Sequence, residues 1–249
     1  MRHEVGTEAI VRAYAVTHPS GTVVLPQPSG WDQLVYASRG VMRVTTPAGI
    51  WIVPPDRAVW VPSDLVHRID LSGRTSLRTL YFSAGVAPLA PECRAVNVTP
   101  LVRELVLHAV ASAPLFATDD AHLRLVGVLL DQLATLPDVP LQLPMPSDAR
   151  ALAVCHALLA DPATPRTVDA LAADVGASRR SVERLFVRET GMTVGQWRTR
   201  QRVIAAIRRL AEGASVTSAS AAVGYATPSA FTAAFRKELG TTPTRYLTS

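Results

Sequence analysis

The spacing of apolar positions changes once along this chain, and that change divides it. From Ile10 to Phe82, short runs rich in Val, Ile, Trp and Thr are interrupted by Pro, Gly, Ser and Asp, which is how strands joined by tight turns read. The pattern predicts strands at Ile10–Val16, Thr22–Leu25, Asp32–Ala37, Val41–Thr46, Ile50–Val53, Ala58–Val61, Val66–Leu71 and Leu77–Phe82. Short strands this closely spaced indicate a small barrel or sandwich. Pro54, Pro55 and Pro62 belong at corners or edges, because proline gives no hydrogen bond to a ladder.

After Thr99 the period becomes helical. Thr99 and Pro100 suit an N-cap and first-turn proline for a helix to about residue 113. Thr118, Asp119 and Asp120 suit the start of another to about Leu136. Leu101 and Leu105, then Leu123, Val126, Leu130 and Leu133, recur at helical spacing. They either pack on the sheet or offer an outer face to a second copy of the chain, and both roles are compatible. Pro137 to Pro146 holds four prolines, which forbid a helix and favour an extended spacer. The predicted organisation is therefore a barrel domain over 1–97, a helical pair over 98–136, a linker over 137–147 and an all-helical domain over 148–249.

The helical domain contains a duplication. Thr167 to Gly176 aligns with Ser215 to Gly224, and Phe186, Glu189, Gly191 and Thr193 align with Phe235, Glu238, Gly240 and Thr242. Each copy has a hydroxyl N-cap, a short helix with small alanines (Ala172, Ala221), and a glycine where a left-handed residue is needed. A second cap follows, Ser178 or Thr227, and then a longer helix with an apolar stripe. Each copy thus reads as a helix-turn-helix. Between the copies, Thr193–Glu212 predicts a helix of about 30 Å. That length is close to one turn of B-DNA, about 34 Å. Its basic residues Arg198, Arg200, Arg202, Arg208 and Arg209 face either solvent or phosphates.

Charge sharpens this picture. Residues 147–249 carry thirteen arginines and one lysine against eight carboxylates, a net +6, while residues 1–146 carry eleven arginines against twelve carboxylates. The positive excess suits a polyanion. Two distant cysteines, Cys93 and Cys155, give no disulfide framework and point to a reducing, cytoplasmic setting. No apolar run approaches the roughly 20 residues of a membrane helix, and the N-terminus lacks the apolar run of a secretion signal.

Residues 150–247 resemble the DNA-binding domain of the AraC/XylS family. Gly191-Met192-Thr193, Ala221 to Tyr225 and Phe235 to Pro243 carry the likeness. The resemblance implies a transcription regulator that binds a double-stranded operator, with RNA polymerase as a further partner and a homodimer as the working form. In the first unit the exposed early positions are Arg179, Arg180, Ser181, Glu183 and Arg184, and the resemblance places Arg180, Glu183 and Arg184 against bases. Arginine grips guanine through two parallel bonds, and glutamate accepts from cytosine. In the second unit Thr227, Pro228, Ser229, Ala230, Thr232 and Ala233 are mostly small and suit thymine methyls, while Arg236 and Lys237 suit phosphate.

The front of the chain resembles the small cupin barrel that precedes many such domains. In metal-binding cupins a histidine pair is expected where this sequence has Gln27 and Ser29. Gln33 and His67 alone remain of the ligand set, too few for a metal site, and His3 and His18 add little. No metal or cofactor is expected. Gln33, Tyr36, Trp51, Arg57, Trp60, His67 and Tyr81 are candidates to line a small-molecule chamber, against core packing for the aromatic ones. The competing class is a metal-dependent cupin sensor or enzyme fused to a DNA-binding tail. The missing histidine pair weighs against it, as does the lack of a phosphate loop, zinc-protease pair or nucleophile elbow. The expected fold class is α+β with two domains: a cupin-like barrel plus helical pair, then two helix-turn-helix units.

Overall fold

The computed structural model describes residues 8–19, 21–23, 28–55, 57–87, 89, 91–137 and 142–248. His3, Leu25, Gln27 and residues 138–141 of the expected linker lie outside the described residues. The chain divides into two compact units. One comprises residues 1–44 and 53–139, the other residues 45–52 and 140–249.

The first unit is built on antiparallel strands. They are β1 (Ala9–His18), β2 (Gly21–Val23), β3 (Trp31–Thr46), β4 (Gly49–Val53), β5 (Arg57–Val61), β6 (Arg68–Ser83), β7 (Arg94–Asn97), β8 (Leu115–Phe116) and β9 (Gln142–Pro144), with β4 and β9 falling largely in the second unit. The sheet order is β7-β5-β3-β6-β1-β8, with β2 on β6, β4 on β3 and β9 on β4. Among the described residues no pairing joins the two ends of that path, so the expected closed barrel is an open sheet. Two pairs of expected strands are each a single long one. Val41–Thr46 continues Asp32–Ala37 as β3, and Leu77–Phe82 continues the preceding run as β6. Gly40, which looks like a turn in sequence, sits inside β3 at φ +84°. A Cβ there would collide with Thr75 Oγ1 and meet the Arg74 carbonyl at 2.8 Å. The glycine admits the neighbouring strand rather than ending its own.

Helices α1 (Pro100–Ser112) and α2 (Asp120–Thr135) cover one face of this sheet. Thr99 and Asp119 cap them as expected, accepting from Val102 N and from Ala121 N and His122 N. Val102, Val106, Val126, Leu129 and Leu133 pack with Leu34, Tyr36, Trp60, Leu80 and Phe82. β7, β8 and β9 are too short to leave a period in sequence.

The second unit is mainly helical: α3 (Ala149–Ala160), α4 (Val168–Asp174), α5 (Arg179–Thr190), α6 (Val194–Ala211), α7 (Val216–Ala222), α8 (Pro228–Leu239) and α9 (Pro243–Thr248). The duplicated caps form matching bonds. Thr167, Ser178, Ser215 and Thr227 each accept the N–H three residues on. The turn between α7 and α8 carries Gly224 at φ +82°, the left-handed geometry that glycine adopts without strain. Phe186 meets Trp197 edge-on at 6.0 Å, and Tyr225, Phe231, Phe235 and Tyr246 form a chain of edge contacts. These rings make the core between α5, α6, α8 and α9.

Residues 142–148 are not a free spacer. β9 pairs with β4, Ile50 opposite Leu143 and Trp51 opposite Gln142. The Trp197 indole donates to the Pro144 carbonyl at 2.7 Å. Glu189 Oε2 accepts from Ser147 N at 2.8 Å, Asp148 N at 2.9 Å and Ser147 Oγ at 3.1 Å. An extended, proline-flanked segment is also what an edge strand requires.

Candidate nucleic-acid interface

On α5 the buried stripe is Val182, Leu185 and Phe186. The opposite face carries Arg180, Arg184 and Val187, all exposed, with Val187 51% accessible. Positions four apart lie one above the other on a helix, so Arg180 and Arg184 are neighbours on this exposed face. Among the described residues neither forms an ion pair or hydrogen bond. Val187 lies about one turn further along the same face and was not among the expected contacts. Its exposure only becomes visible once the stripe is placed.

The other expected contacts of the first unit have local roles. Arg179 is exposed and pairs with Asp169 at 3.3 Å. The Ser181 hydroxyl is 3.0 Å from that of the cap Ser178. Glu183, expected to read a base, is half-buried and takes part in a local contact. Its Oε2 accepts from Val194 N, the first N–H of α6, at 3.1 Å. A carboxylate at a helix start is held there by the unpaired N–H groups and the helix dipole. The eleven-residue separation hides this from sequence.

On α8, Phe231 and Phe235 are buried, while Ser229, Ala230, Ala233, Arg236 and Lys237 are exposed and Thr232 is half-buried. Thr227 serves as the cap. Of the five arginines on α6, three are internal fasteners. Arg198 donates to the Thr164 and Arg166 carbonyls, Arg200 Nε to Glu238 at 2.9 Å, and Arg202 to three carbonyls. Burial and the neighbouring Arg202 charge lower the Arg198 pKa. Only Arg208 and Arg209 of the five remain exposed.

In the first unit the candidate chamber residues divide between faces. Tyr36 and Trp60 pack under α1 and α2, the core packing weighed as the alternative for the aromatic candidates. Strand alternation puts Gln33 and Tyr81, neighbours in sequence of Leu34 and Leu80, on the opposite face. Gln33, Tyr81 and the unanticipated Thr79 are 3%, 4% and 0% exposed, and among the described residues Gln33 Oε1, Thr79 Oγ1 and the Tyr81 hydroxyl have no hydrogen-bond partner. Burial, and then the Tyr14 charge, push the Tyr81 pKa up to about 12, so its hydroxyl stays a donor. Arg57 is half-buried on β5, and buried His67 places Nδ1 2.9 Å from the Leu65 carbonyl. Trp51 lies on β4 in the second unit, opposite Gln142. Among the described residues no three His, Cys, Asp or Glu side chains are grouped to hold a metal ion, and no helix is long and apolar enough to cross a membrane.

Short and longer helices capped alike, with a basic face that has no partner among the described residues, are the arrangement of a helix-turn-helix DNA-binding protein. A family profile described as a helix-turn-helix domain matches residues 171–249. The chain is 30% identical over 215 residues to the HTH-type transcriptional regulator NimR of Escherichia coli K12, covering 86% of this chain and 79% of that one. It is 35% identical over 105 residues to the HTH-type transcriptional regulator RipA of Corynebacterium glutamicum, covering 42% of this chain and 32% of RipA. It is also similar to the solved structure of ToxT from Vibrio cholerae, at 9% identity and a TM-score of 0.41, over 97% of this chain and 98% of that one. The chain belongs to the AraC-type family of helix-turn-helix transcriptional regulators.

Proposed function

We propose that this regulator recognises a specific operator through two helix-turn-helix units, α4–α5 and α7–α8, with most base discrimination supplied by Arg180 and Arg184. The observation that carries this reading is their position: two neighbouring arginines, exposed and without a partner among the described residues, opposite the buried stripe of α5. Each bidentate contact to guanine contributes about 1–3 kcal/mol of discrimination. The small exposed face of α8 positions more than it specifies, with Arg236 and Lys237 on phosphate. The front unit acts as a cupin-like sensor of a small effector, on the sheet face that carries Gln33, Thr79 and Tyr81. Buried polar atoms without partners favour a ligand that can pair with them. The outer faces of α1 and α2, where Leu101, Leu123 and Val128 are exposed, form the homodimer contact, and the protein acts in the cytoplasm without catalysing a reaction.

The test is selection of duplexes from a randomised library by the full chain, followed by titration of the selected duplex and a scrambled one. Arg184→Ala should lose roughly ten- to a hundredfold in the ratio of the two affinities. A variant that keeps the whole ratio refutes the assignment of that arginine.

A further inference from the structure

The motif Ala221 to Tyr225 precedes α8 and supplies none of its exposed face. What it does is set by α6. Arg202 Nε donates to the Pro162 carbonyl at 2.9 Å and Nη2 to the Thr164 carbonyl at 3.3 Å, both in the loop between α3 and α4. Its Nη1 donates to the Gly224 carbonyl at 3.2 Å, in the turn between α7 and α8. The guanidinium carbon stands 5.7 Å from the centre of the Tyr225 ring. Arg198 brings a second guanidinium to the same loop, donating to Thr164 O and to Arg166 O.

The approach is tight enough to dictate residue type. A Cβ on Gly224 would lie 2.9 Å from Ala163 Cα and 2.9 Å from Arg202 Nη2. Backbone of the first half and backbone of the second thus meet at one point, with a planar fork bonded to both. Lysine cannot reproduce this, because a single ammonium lacks the rigid fork. A helix alone sets the distance between the elements at its ends. It does not set how each is turned about its axis.

We infer that Arg202 is a positioning residue for operator reading. By joining the α3–α4 loop to the α7–α8 turn, it holds α5 and α8 at the single spacing at which two half-sites are read together. The inference rests on the two-unit function proposed above. Its signature is intolerance to half-site spacing, which differs from loss of affinity and from loss of base preference.

The experiment uses the full chain and the duplex it selects, remade with a single base pair inserted between the halves. The insertion moves one half-site by about 3.4 Å and turns it by roughly 35°. Wild type should lose roughly tenfold or more in affinity on insertion, comparable to a mismatched base pair. Arg202→Ala should bind the selected duplex more weakly, yet differ by under about threefold between the two spacings on the same scale. Arg184→Ala should lose base preference and keep the spacing penalty. An Arg202→Ala protein with the wild-type penalty overturns the inference. If that variant does not fold, Arg202→Lys is read by the same criterion. Amide hydrogen exchange gives a readout without DNA. In the variant, residues 162–166 and 223–226 should both exchange faster, and protection unchanged at either segment overturns the bracket. If wild type enriches no sequence, the function proposed above fails, and exchange alone decides the role of Arg202.

Discussion

Replacing Glu183 with alanine separates a base reader from a helix cap. Four backbone N–H groups at the start of α6 have no partner inside the helix. Thr193 N donates to Gln196 Oε1 at 2.8 Å, and Gln196 N to Thr193 Oγ1 at 3.2 Å. Val194 N donates to Glu183 at 3.1 Å, which leaves only Gly195. Glu183 is half-buried, so its bond is screened less than at a fully exposed site, but 3.1 Å is at the long end for a carboxylate. A cap with a dipole interaction of this kind contributes about 1 kcal/mol. With a urea slope of about 2 kcal/mol/M, Glu183→Ala should lower the unfolding midpoint of the helical signal by about 0.5 M. Glu183→Gln keeps an acceptor and should lose less. Both variants should select the wild-type DNA sequence. A Glu183→Ala protein with an unchanged midpoint and altered preference at one G·C pair would show that the carboxylate reads cytosine and that the capping argument is mistaken.

Salt dependence sorts the arginines of α6. Arg208→Ala and Arg209→Ala should each reduce the slope of log affinity against log salt by about 0.9 if the side chain meets a phosphate. Arg200→Ala should leave that slope alone and lower stability, because Glu238, whose side chain is 11% exposed, loses its partner. Glu189 predicts an acid transition. The Arg188 guanidinium, then the Asp148 and Ser147 N–H groups, hold its carboxyl at about 2 against an ordinary 4.5. Its contribution is therefore complete above about 4.5 and disappears as pH falls towards 2. Glu189→Gln should flatten acid unfolding in that window, and an unchanged curve counts against the assignment. Trp197→Phe preserves an aromatic ring against Phe186 but removes the donor to Pro144. It should cost about 1 kcal/mol and speed protease cleavage near residue 145, whereas wild-type resistance there would show that the indole bond does not hold the segment.

What the sequence reveals here is what physics makes local. Thr167, Ser178, Ser215 and Thr227 are legible as caps because a hydroxyl and the N–H it accepts are three residues apart. The α5 stripe is legible because its period is that of the helix. Strand alternation shows that Tyr36 and Gln33 face opposite ways, but not which face α1 and α2 will cover. Glu183, Arg198 and Arg202 are illegible for a common reason. Each is a polar residue on an amphipathic helix whose partner is a backbone group brought near by tertiary folding. Charge pattern alone assigns such residues to the surface. Gly40 misleads similarly, since a glycine that ends a strand and one that accommodates its neighbour look the same in one dimension.

The docking of residues 142–148 bears on how this protein can be cut. A fragment begun at Ala149 would retain α3 to α9, yet Trp197 and Glu189 would lose the carbonyl and amide groups they hold. A fragment begun at Gln142 would keep those groups but leave β9 without β4, its backbone open along one side. The natural seam for excision therefore does not coincide with the start of the first helix. A recombinant C-terminal half made by either cut should be less stable than the same residues in the full chain.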